Sequence, residues 1–206
     1  MKSLLSLISG LLALFFRSQK VEPTPAPVEP KPLRHLAWGR KVSQAFRDRL
    51  FEICQILGVE PDYLMACMAF ESAETFSPSI KNAAGSGATG LIQFMPTTAK
   101  GLGTTTAALA ALTAEQQLEW VLAYFMPYKG RLNTLADVYM AILWPAGIGK
   151  PDSWTLWDKD SRPTTYRQNA GLDLNKDGKI TKSEAAAKVL AKLERGRLAQ
   201  FQWEGV

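Results

Sequence analysis

The fold is decided by one apolar stretch, Tyr63-Leu64-Met65-Ala66-Cys67-Met68-Ala69-Phe70-Glu71-Ser72. Its length and its lack of β-branched residues predict a helix that buries most of its length. Glu71 then leaves the core where the helix ends. Because partial burial disfavours the charged form, we expect a raised carboxyl pKa and a proton that Glu71 can donate near neutral pH.

A glycine-rich stretch follows about twenty residues further on, and it reads Gly87-Ala88-Thr89-Gly90-Leu91-Ile92-Gln93-Phe94-Met95-Pro96. Glycine lets a backbone come close to a bound ligand, and Pro96 suits the first turn of another helix. We therefore expect a ligand groove between the Glu71 helix and this stretch.

Three blocks together resemble the soluble lytic transglycosylase and goose-type lysozyme family, and most of all its phage and prophage endolysin-like members. They are Glu71-Ser72-Ala73-Glu74-Thr75-Phe76-Ser77-Pro78, the glycine-rich stretch, and Asp137-Val138-Tyr139-Met140-Ala141. The resemblance runs from Pro61 to Pro151. One block departs from the family, because many members read Tyr-Asn-Ala-Gly where this chain reads Tyr139-Met140-Ala141-Ile142.

The resemblance implies cleavage of the bond between N-acetylmuramic acid and N-acetylglucosamine in peptidoglycan glycan strands, with Glu71 as the acid and then the base. It also implies substrate contacts, which we assign to Ser72, Gln93, Phe94, Met95 and Tyr139. Each of these residues also has a purely structural interpretation. Ser72 can form local hydrogen bonds, Gln93 can brace its turn, and the aromatic residues can belong to the core.

The mechanism depends on whether a second acid takes part in the chemistry. None is assigned in the Glu71 motif, because Glu74, like Asp137, is expected to be solvated or structural. Ordinary glycosidases use two carboxylates, but substrate-assisted variants exist. We therefore expect Glu71 to act with the substrate's own 2-acetamido group and to form a 1,6-anhydromuramoyl end. Attack by water would instead make the chain a hydrolytic muramidase. A non-catalytic, calcium-dependent peptidoglycan-binding module and a virion structural protein are two further hypotheses.

Composition narrows the chemistry further. The chain has 206 residues, a formal charge of +5, one histidine (His35) and two cysteines (Cys54 and Cys67). A lone histidine does not fit zinc amidases or Cys-His hydrolases, so no cofactor is expected for the chemistry itself. The positive charge suits anionic envelope polymers, and we expect no nucleic acid as partner, because Lys and Arg are not clustered with aromatic residues. We expect a monomer with free, buried thiols.

The N-terminal region predicts an envelope location. Residues 3–16 are mostly apolar and would span only about 21 Å as a helix, so residues 1–20 resemble an export signal or an uncleaved membrane anchor. Residues 21–36 contain five prolines and predict an extended spacer of the polyproline type. We expect a protein that is membrane-anchored or exported to the periplasm or envelope, and of phage or prophage origin.

The remaining chain predicts a mainly α, lysozyme-like helical domain with a substrate cleft. Helices are expected over Lys41–Leu57, from Pro61 to Glu71, from the Thr113 capping box to Pro127, and over Leu135–Leu143. No stretch alternates with period two for long enough to predict a sheet. We place the catalytic domain at residues 37–160, and a calcium loop with a C-terminal helix at residues 161–206.

That loop fits the twelve-residue EF-hand pattern at every diagnostic position, and it reads Asp173-Leu174-Asn175-Lys176-Asp177-Gly178-Lys179-Ile180-Thr181-Lys182-Ser183-Glu184. The predicted ligands are Asp173, Asn175, Asp177, the Lys179 carbonyl, Thr181 through water, and Glu184 with both oxygens. Thr181 and Glu184 also form a capping box, so a polar helix entry without an ion is the competing interpretation. We expect a single structural Ca²⁺ site, because the entering segment is short and contains Pro163.

Overall fold

The computed structural model describes residues 33–205. The predicted hydrophobic segment (residues 1–20) and all but the last four residues of the predicted spacer (21–36) lie outside the described residues. Within the described part, no single helix is long and apolar enough to cross a membrane. One pair of consecutive helices, Gln44–Leu57 and Pro61–Glu71, meets the length and composition test only jointly, with a bend of 116° between them.

Helices dominate the described part of the chain, which confirms the predicted mainly α fold class. Eight are present: α1 (Gln44–Leu57), α2 (Pro61–Glu71), α3 (Pro96–Gly101), α4 (Thr106–Ala110), α5 (Ala114–Phe125), α6 (Leu135–Leu143), α7 (Pro163–Asn169) and α8 (Lys182–Gly196). Short 3₁₀ turns occupy Gly39–Lys41, Met126–Tyr128, Pro145–Gly147 and Ala170–Leu172.

Local chemistry sets where these helices begin. The Ser43 side chain accepts a hydrogen bond from the Phe46 backbone N–H, so α1 begins three residues later than the predicted Lys41. The capping box predicted at Thr113 is present at the start of α5. Pro163 occupies the first turn of α7, so it begins that helix and does not interrupt it as the sequence suggested.

Four short strands form two antiparallel ribbons that the sequence did not predict. Strand β1 (Arg34–Leu36) pairs with β4 (Trp203–Gly205), and β2 (Thr155–Asp158) pairs with β3 (Lys179–Thr181). Strands of three or four residues are too short for a period-two pattern to stand out. Strand β1 contains the last three residues of the predicted spacer. His35 therefore belongs to a strand, where it lies 3.4 Å from Glu204, and not to a solvated linker.

The core is built around α2, in which the six residues from Leu64 to Ala69 are buried. Helix α8 packs against α2 and also against α6. Ion pairs reinforce the contact between α8 and the C-terminal end of α2. Glu74, just after α2, pairs with Lys192 (2.5 Å) and Arg195 (3.1 Å) of α8. The predicted structural role of Glu74 is therefore confirmed, and the C-terminal helix supports the helix that carries Glu71.

A buried ion pair joins α8 to α6. Lys182 Nζ lies 2.6 Å from Asp137 Oδ1, and both side chains are almost fully buried. Asp137 also accepts hydrogen bonds from the Gly149 backbone N–H and the Thr134 hydroxyl. Burial opposes ionisation of Asp137, but these bonds outweigh it, and the pKa of the carboxyl lies below its ordinary value. The pairing ties residues 161–206 to the helical domain, while the domain boundary at residue 160 stays a prediction.

The two cysteines are free and buried, as predicted. Burial raises the pKa of the Cys54 thiol to about 12 and also raises that of Cys67, so neither thiol is ionised near neutral pH.

Candidate active site

Glu71 is the last residue of α2, and its side chain is partly buried. The helix brings it to the edge of the core, because the residues before it are packed on all sides. Burial raises the pKa of Glu71 to about 7, and neither a hydrogen bond nor a charged neighbour among residues 33–205 contributes to this shift. The negative end of the α2 dipole acts in the same direction. The carboxyl therefore carries a proton over much of the neutral pH range, as the sequence predicted.

The turn that follows Glu71 is strained. Ala73, Glu74 and Phe76 all have positive φ, between 50° and 64°, a conformation that side chains other than glycine seldom adopt. Ser72 holds this turn from inside. Its side chain is fully buried, and its hydroxyl donates to the Met68 carbonyl (2.6 Å) and accepts from the Phe76 N–H (3.0 Å).

Ser72 is therefore engaged in fixing the end of α2, which agrees with the local hydrogen bonding that its sequence position allows. The single donor of its hydroxyl is used within the turn, as is one of its two acceptor lone pairs. A direct contact of Ser72 with substrate stays a prediction.

The glycine-rich stretch is held by Gln117, a residue that the sequence did not single out. Gln117 of α5 is fully buried, and its side chain accepts from the Leu91 N–H (2.7 Å) and donates to the carbonyls of Pro78 and Leu109. A Cβ atom on Gly90, whose φ is 85°, would collide with this carboxamide. This glycine was expected to make room for a ligand, whereas in the structure it makes room for Gln117.

Gln93, Phe94 and Met95 follow Gly90 in the same glycine-rich stretch. Gln93 has a φ of 51°, and its amide donates to the carbonyls of Ile80 (3.3 Å) and Gly90 (3.2 Å), so it braces the turn. Phe94 is buried, and its backbone pairs with that of Thr89. Met95 is 44% exposed. Of the three, Met95 has the most exposed side chain, while that of Gln93 is partly buried.

Two tyrosines lie close enough to Glu71 to respond to its charge. Burial raises the pKa of Tyr139 and of Tyr124, and the negative charge of Glu71 raises both further. Tyr139 is almost fully buried, and its ring meets that of Phe70 edge to face at 5.6 Å. The structure therefore brings Tyr139 into the surroundings of Glu71, and its contact with sugar stays a prediction.

Tyr124 is a second residue that the sequence did not single out. Its hydroxyl donates to the Ala141 carbonyl (2.7 Å), and its ring meets Phe94 edge to face at 6.1 Å. It thus connects the glycine-rich stretch, α6 and the surroundings of Glu71. The available signal was its place on an amphipathic helix, and that signal cannot distinguish an active-site tyrosine from a core tyrosine.

The tryptophans in the second half of the chain fall mainly in or near the core. Trp157 is buried, and Trp144 meets it edge to face at 5.5 Å. Lys150 lies over the ring of Trp154, 6.0 Å from its centre.

A surface hollow lined by Arg34, Phe51 and Glu60 lies at the first turn of α2. Glu71 lies at the other end of this helix, about 15 Å away at 1.5 Å per residue. The hollow is therefore separate from the candidate catalytic carboxyl.

The predicted calcium ligands form one contiguous loop ahead of α8, and Asp173 is its most buried carboxylate, at 7% exposure. The capping box of Thr181 and Glu184, which competes with an ion site as the explanation of this sequence, is present. Thr181 and Glu184 belong both to the capping box and to the predicted ligand set. The capping box is therefore compatible with an ion site in this loop.

A comparison with family models supports a class for this site. Residues 50–141 match the model described as "Transglycosylase SLT domain", and the matched region includes Glu71, the glycine-rich stretch and Tyr139. The match supports the lytic transglycosylase and lysozyme-like class, with peptidoglycan as the substrate, at the level of the family. A comparison with curated proteins gave no match.

Proposed function

We propose that this chain is an endolysin-like lytic transglycosylase that cleaves the β-1,4 bond between N-acetylmuramic acid and N-acetylglucosamine with Glu71 as its single acid and base. The observation that carries this proposal is the state of Glu71. Burial raises the pKa of its carboxyl to about 7, and no carboxylate among residues 33–205 contributes to that shift. A two-carboxylate glycosidase needs a second ionised acid beside the first.

The other acids near this region are already committed. Glu74 follows Glu71 by three residues but is paired with Lys192 and Arg195, and Asp137 is paired with Lys182. Breaking either pair would leave a buried or half-buried cation without a partner. A mechanism in which the substrate supplies the second group is consistent with this arrangement.

In the first step, Glu71 donates its proton to the glycosidic oxygen, and the bond between that oxygen and C1 of the muramoyl residue breaks. The carbonyl oxygen of the 2-acetamido group attacks C1 and holds the positive charge that develops there. The leaving chain departs with a new hydroxyl, and Glu71 is left as a carboxylate.

In the second step, the Glu71 carboxylate removes the proton from the C6 hydroxyl of the same muramoyl residue. The C6 oxygen attacks C1, displaces the acetamido oxygen and closes a 1,6-anhydro ring. Glu71 is thereby protonated again. A carboxyl pKa near 7 suits a group that must both give and take a proton near neutral pH.

The surrounding residues would position the sugar. Ser72 holds the turn after Glu71, and Gln117 and Gln93 hold the glycine-rich turn. We assign sugar contact to Met95, which is exposed. We also assign it to Tyr139, which lies near Glu71, and to the turn at Gln93, which belongs to the same glycine-rich stretch as Met95. We add Tyr124 to these residues, because it also lies near Glu71.

Digestion of purified murein tests the proposal. Wild type should clear it, and Glu71→Gln should lose at least about a hundredfold in rate, because removal of a general acid costs 10²–10⁴-fold. Glu74→Gln is the matched control, since it changes a nearby acid that we place in an ion pair. Mass spectrometry of the products should show anhydromuramoyl ends. Reducing muramoyl ends alone would contradict transglycosylation and indicate a hydrolytic muramidase.

We further propose that the protein works at the cell envelope, held or delivered there by residues 1–20. The support is the composition of that segment and of the proline-rich spacer after it. Fractionation of expressing cells should find the full chain with membranes or periplasm, and a chain lacking residues 1–20 in the cytosol.

A further inference from the structure

We propose that the loop from Asp173 to Glu184 (the 173–184 loop) binds one Ca²⁺ ion. The ion would strengthen the start of α8 and its contacts with α2 and α6. This inference does not depend on the proposed function, because it concerns binding and stability.

The Asp173 carboxylate supplies the observation that points to a cation. Its Oδ2 atom accepts hydrogen bonds from the Gly178 N–H (3.0 Å) and the Tyr166 hydroxyl (2.6 Å), which turn the group toward the inside of the loop. Its Oδ1 atom is buried and has no hydrogen-bonding partner among residues 33–205. A buried anionic oxygen without a partner is costly, and a bound cation would offset that cost.

The backbone of the loop already has the required turn. Gly178, the sixth residue, has a φ of 87°, and Lys176 has a φ of 60°. Asn175 Oδ1 accepts from the Asp177 N–H (2.9 Å), and Asp177 Oδ1 accepts from the Lys179 N–H (2.8 Å). These bonds shape the turn that carries the oxygen-bearing side chains at the third and fifth positions, which are ligand positions of a calcium loop.

Glu184 closes the loop from its other end. Its Oε1 lies 3.4 Å from the Asn175 backbone nitrogen, while Oε2 accepts from the N–H (2.9 Å) and the hydroxyl (2.7 Å) of Thr181. Across residues 33–205, no three His, Cys, Asp or Glu side chains are grouped as a metal site. The loop carboxylates are therefore held apart by bonds to their own loop. The ion would have to draw them together, with the amide of Asn175 and the Lys179 carbonyl.

The ligand chemistry selects calcium. All the available donors are hard oxygens, and their number and flexible loop suit Ca²⁺ better than Mg²⁺, which demands a smaller octahedron. Three carboxylates face several lysines, and the side chain of Lys159 lies against Gly178. We therefore expect a Kd on the order of 10⁻⁵ to 10⁻³ M, in the range from weaker sensors to extracellular modules.

The position of the loop gives the ion its effect on the rest of the protein. Strand β3 and the first residues of α8 belong to the loop, and Lys182, its tenth residue, forms the buried pair with Asp137 of α6. Helix α8 also packs along α2, which carries Glu71. An ion that holds the loop closed would thus stabilise the contact between α8 and both helices.

Calorimetric titration and thermal unfolding of the chelator-treated, full-length protein test the proposal, with wild type, Glu184→Gln and Asp160→Asn. Gln can replace Glu in a capping box, so Glu184→Gln removes a charged ligand while keeping the helix start. Asp160→Asn is the matched control, because Asp160 is exposed and lies outside the loop.

Wild type and Asp160→Asn should bind one Ca²⁺, and their Tm should rise by about 5 °C or more at a hundredfold excess over Kd. Glu184→Gln should keep the calcium-free Tm and bind at least tenfold more weakly. MgCl2 should give a smaller shift. The proposal is overturned if wild type shows no binding at about 10 mM CaCl2, above the Kd of weak extracellular modules, or if Glu184→Gln binds as tightly as wild type.

Discussion

The carboxamide of Gln117 occupies the space that a side chain on Gly90 would need. This relationship fixes the glycine-rich stretch to α5, because the same carboxamide binds the backbone of Leu91, Pro78 and Leu109. The glycine-rich turn is therefore tied to α5 by a buried glutamine.

A double-mutant cycle at these two positions should show strong coupling. Gln117→Ala leaves the buried Leu91 N–H and the Pro78 carbonyl without their side-chain partner, while the Leu109 carbonyl keeps its bond from the Leu112 N–H. We expect a loss of about 2–4 kcal/mol of unfolding free energy. Gly90→Ala should be destabilising by a similar amount, through collision with Gln117 and through its positive φ. In the Gln117→Ala background, the cost of Gly90→Ala should fall by about 1 kcal/mol or more.

Urea unfolding of the four proteins at neutral pH measures this coupling. Gln55→Ala, at an exposed position of α1, is the control and should change stability by less than about 0.5 kcal/mol. Strict additivity of the two substitutions would contradict the proposed contact.

The rate of peptidoglycan cleavage should fall with rising pH. Since burial raises the pKa of Glu71 to about 7, the acid form is lost above that pH, and kcat/KM should fall tenfold for each further pH unit. Initial rates of murein solubilisation between about pH 5 and 9 test this expectation.

Glu74→Gln should keep the same pH profile, because Glu74 is committed to Lys192 and Arg195. A profile that is flat to high pH, or one that moves with Glu74→Gln, would assign the titration to another group.

Glu71→Gln should stabilise the protein at high pH. The folded-state pKa of Glu71 is raised from 4.5 to about 7, so its contribution to stability is fully present below about pH 4.5 and is lost as pH rises through 7. At about pH 8 the buried carboxylate costs on the order of 3 kcal/mol, which Gln avoids.

Thermal unfolding at about pH 5 and pH 8 measures the difference. The Tm of Glu71→Gln relative to wild type should increase between these two pH values. Equal differences at both would mean that Glu71 is not desolvated in the folded protein.

Removal of one partner of the Lys182–Asp137 ion pair should strongly reduce the free energy of unfolding. Lys182→Met leaves the Asp137 carboxylate buried and uncompensated, and we expect a loss of about 3–5 kcal/mol at neutral pH. Adding Asp137→Asn should recover part of this loss, because the buried charge is then absent. Lys188→Met, at an exposed position of α8, serves as the control in the same denaturation assay. A loss no larger than that of Lys188→Met would show that the pair contributes little.

Local sequence signals predicted the longer helices, because each signal acts within one turn, whereas the five-residue α4 was not predicted. Pro61 begins α2, and the capping boxes at Thr113 and Thr181 begin α5 and α8. The paired strands were missed, since their partners lie far apart in sequence. Arg34 pairs with Gly205, and Thr155 pairs with Thr181.

The candidate site also contains residues that could be predicted from the sequence and residues that could not. Glu71 and its raised pKa could be predicted, because an apolar run ending in a carboxylate implies burial at that residue. The roles of Gln117 and Tyr124 could not be predicted, since each depends on which segments meet in space. Ser72 and Gln93 were singled out for substrate, but in the structure their side chains hold turns.

By itself, then, the sequence determined the mainly α class, the acid at the end of α2 and the oxygen-rich 173–184 loop. These follow from the periodicity, polarity and spacing of neighbouring residues. Only the tertiary structure decided that Gln117 fills the space beside Gly90, that Lys182 neutralises Asp137, and that α8 supports the helix that carries Glu71. Such contacts join residues that are distant in the chain, and the folded packing alone selects which of them come together.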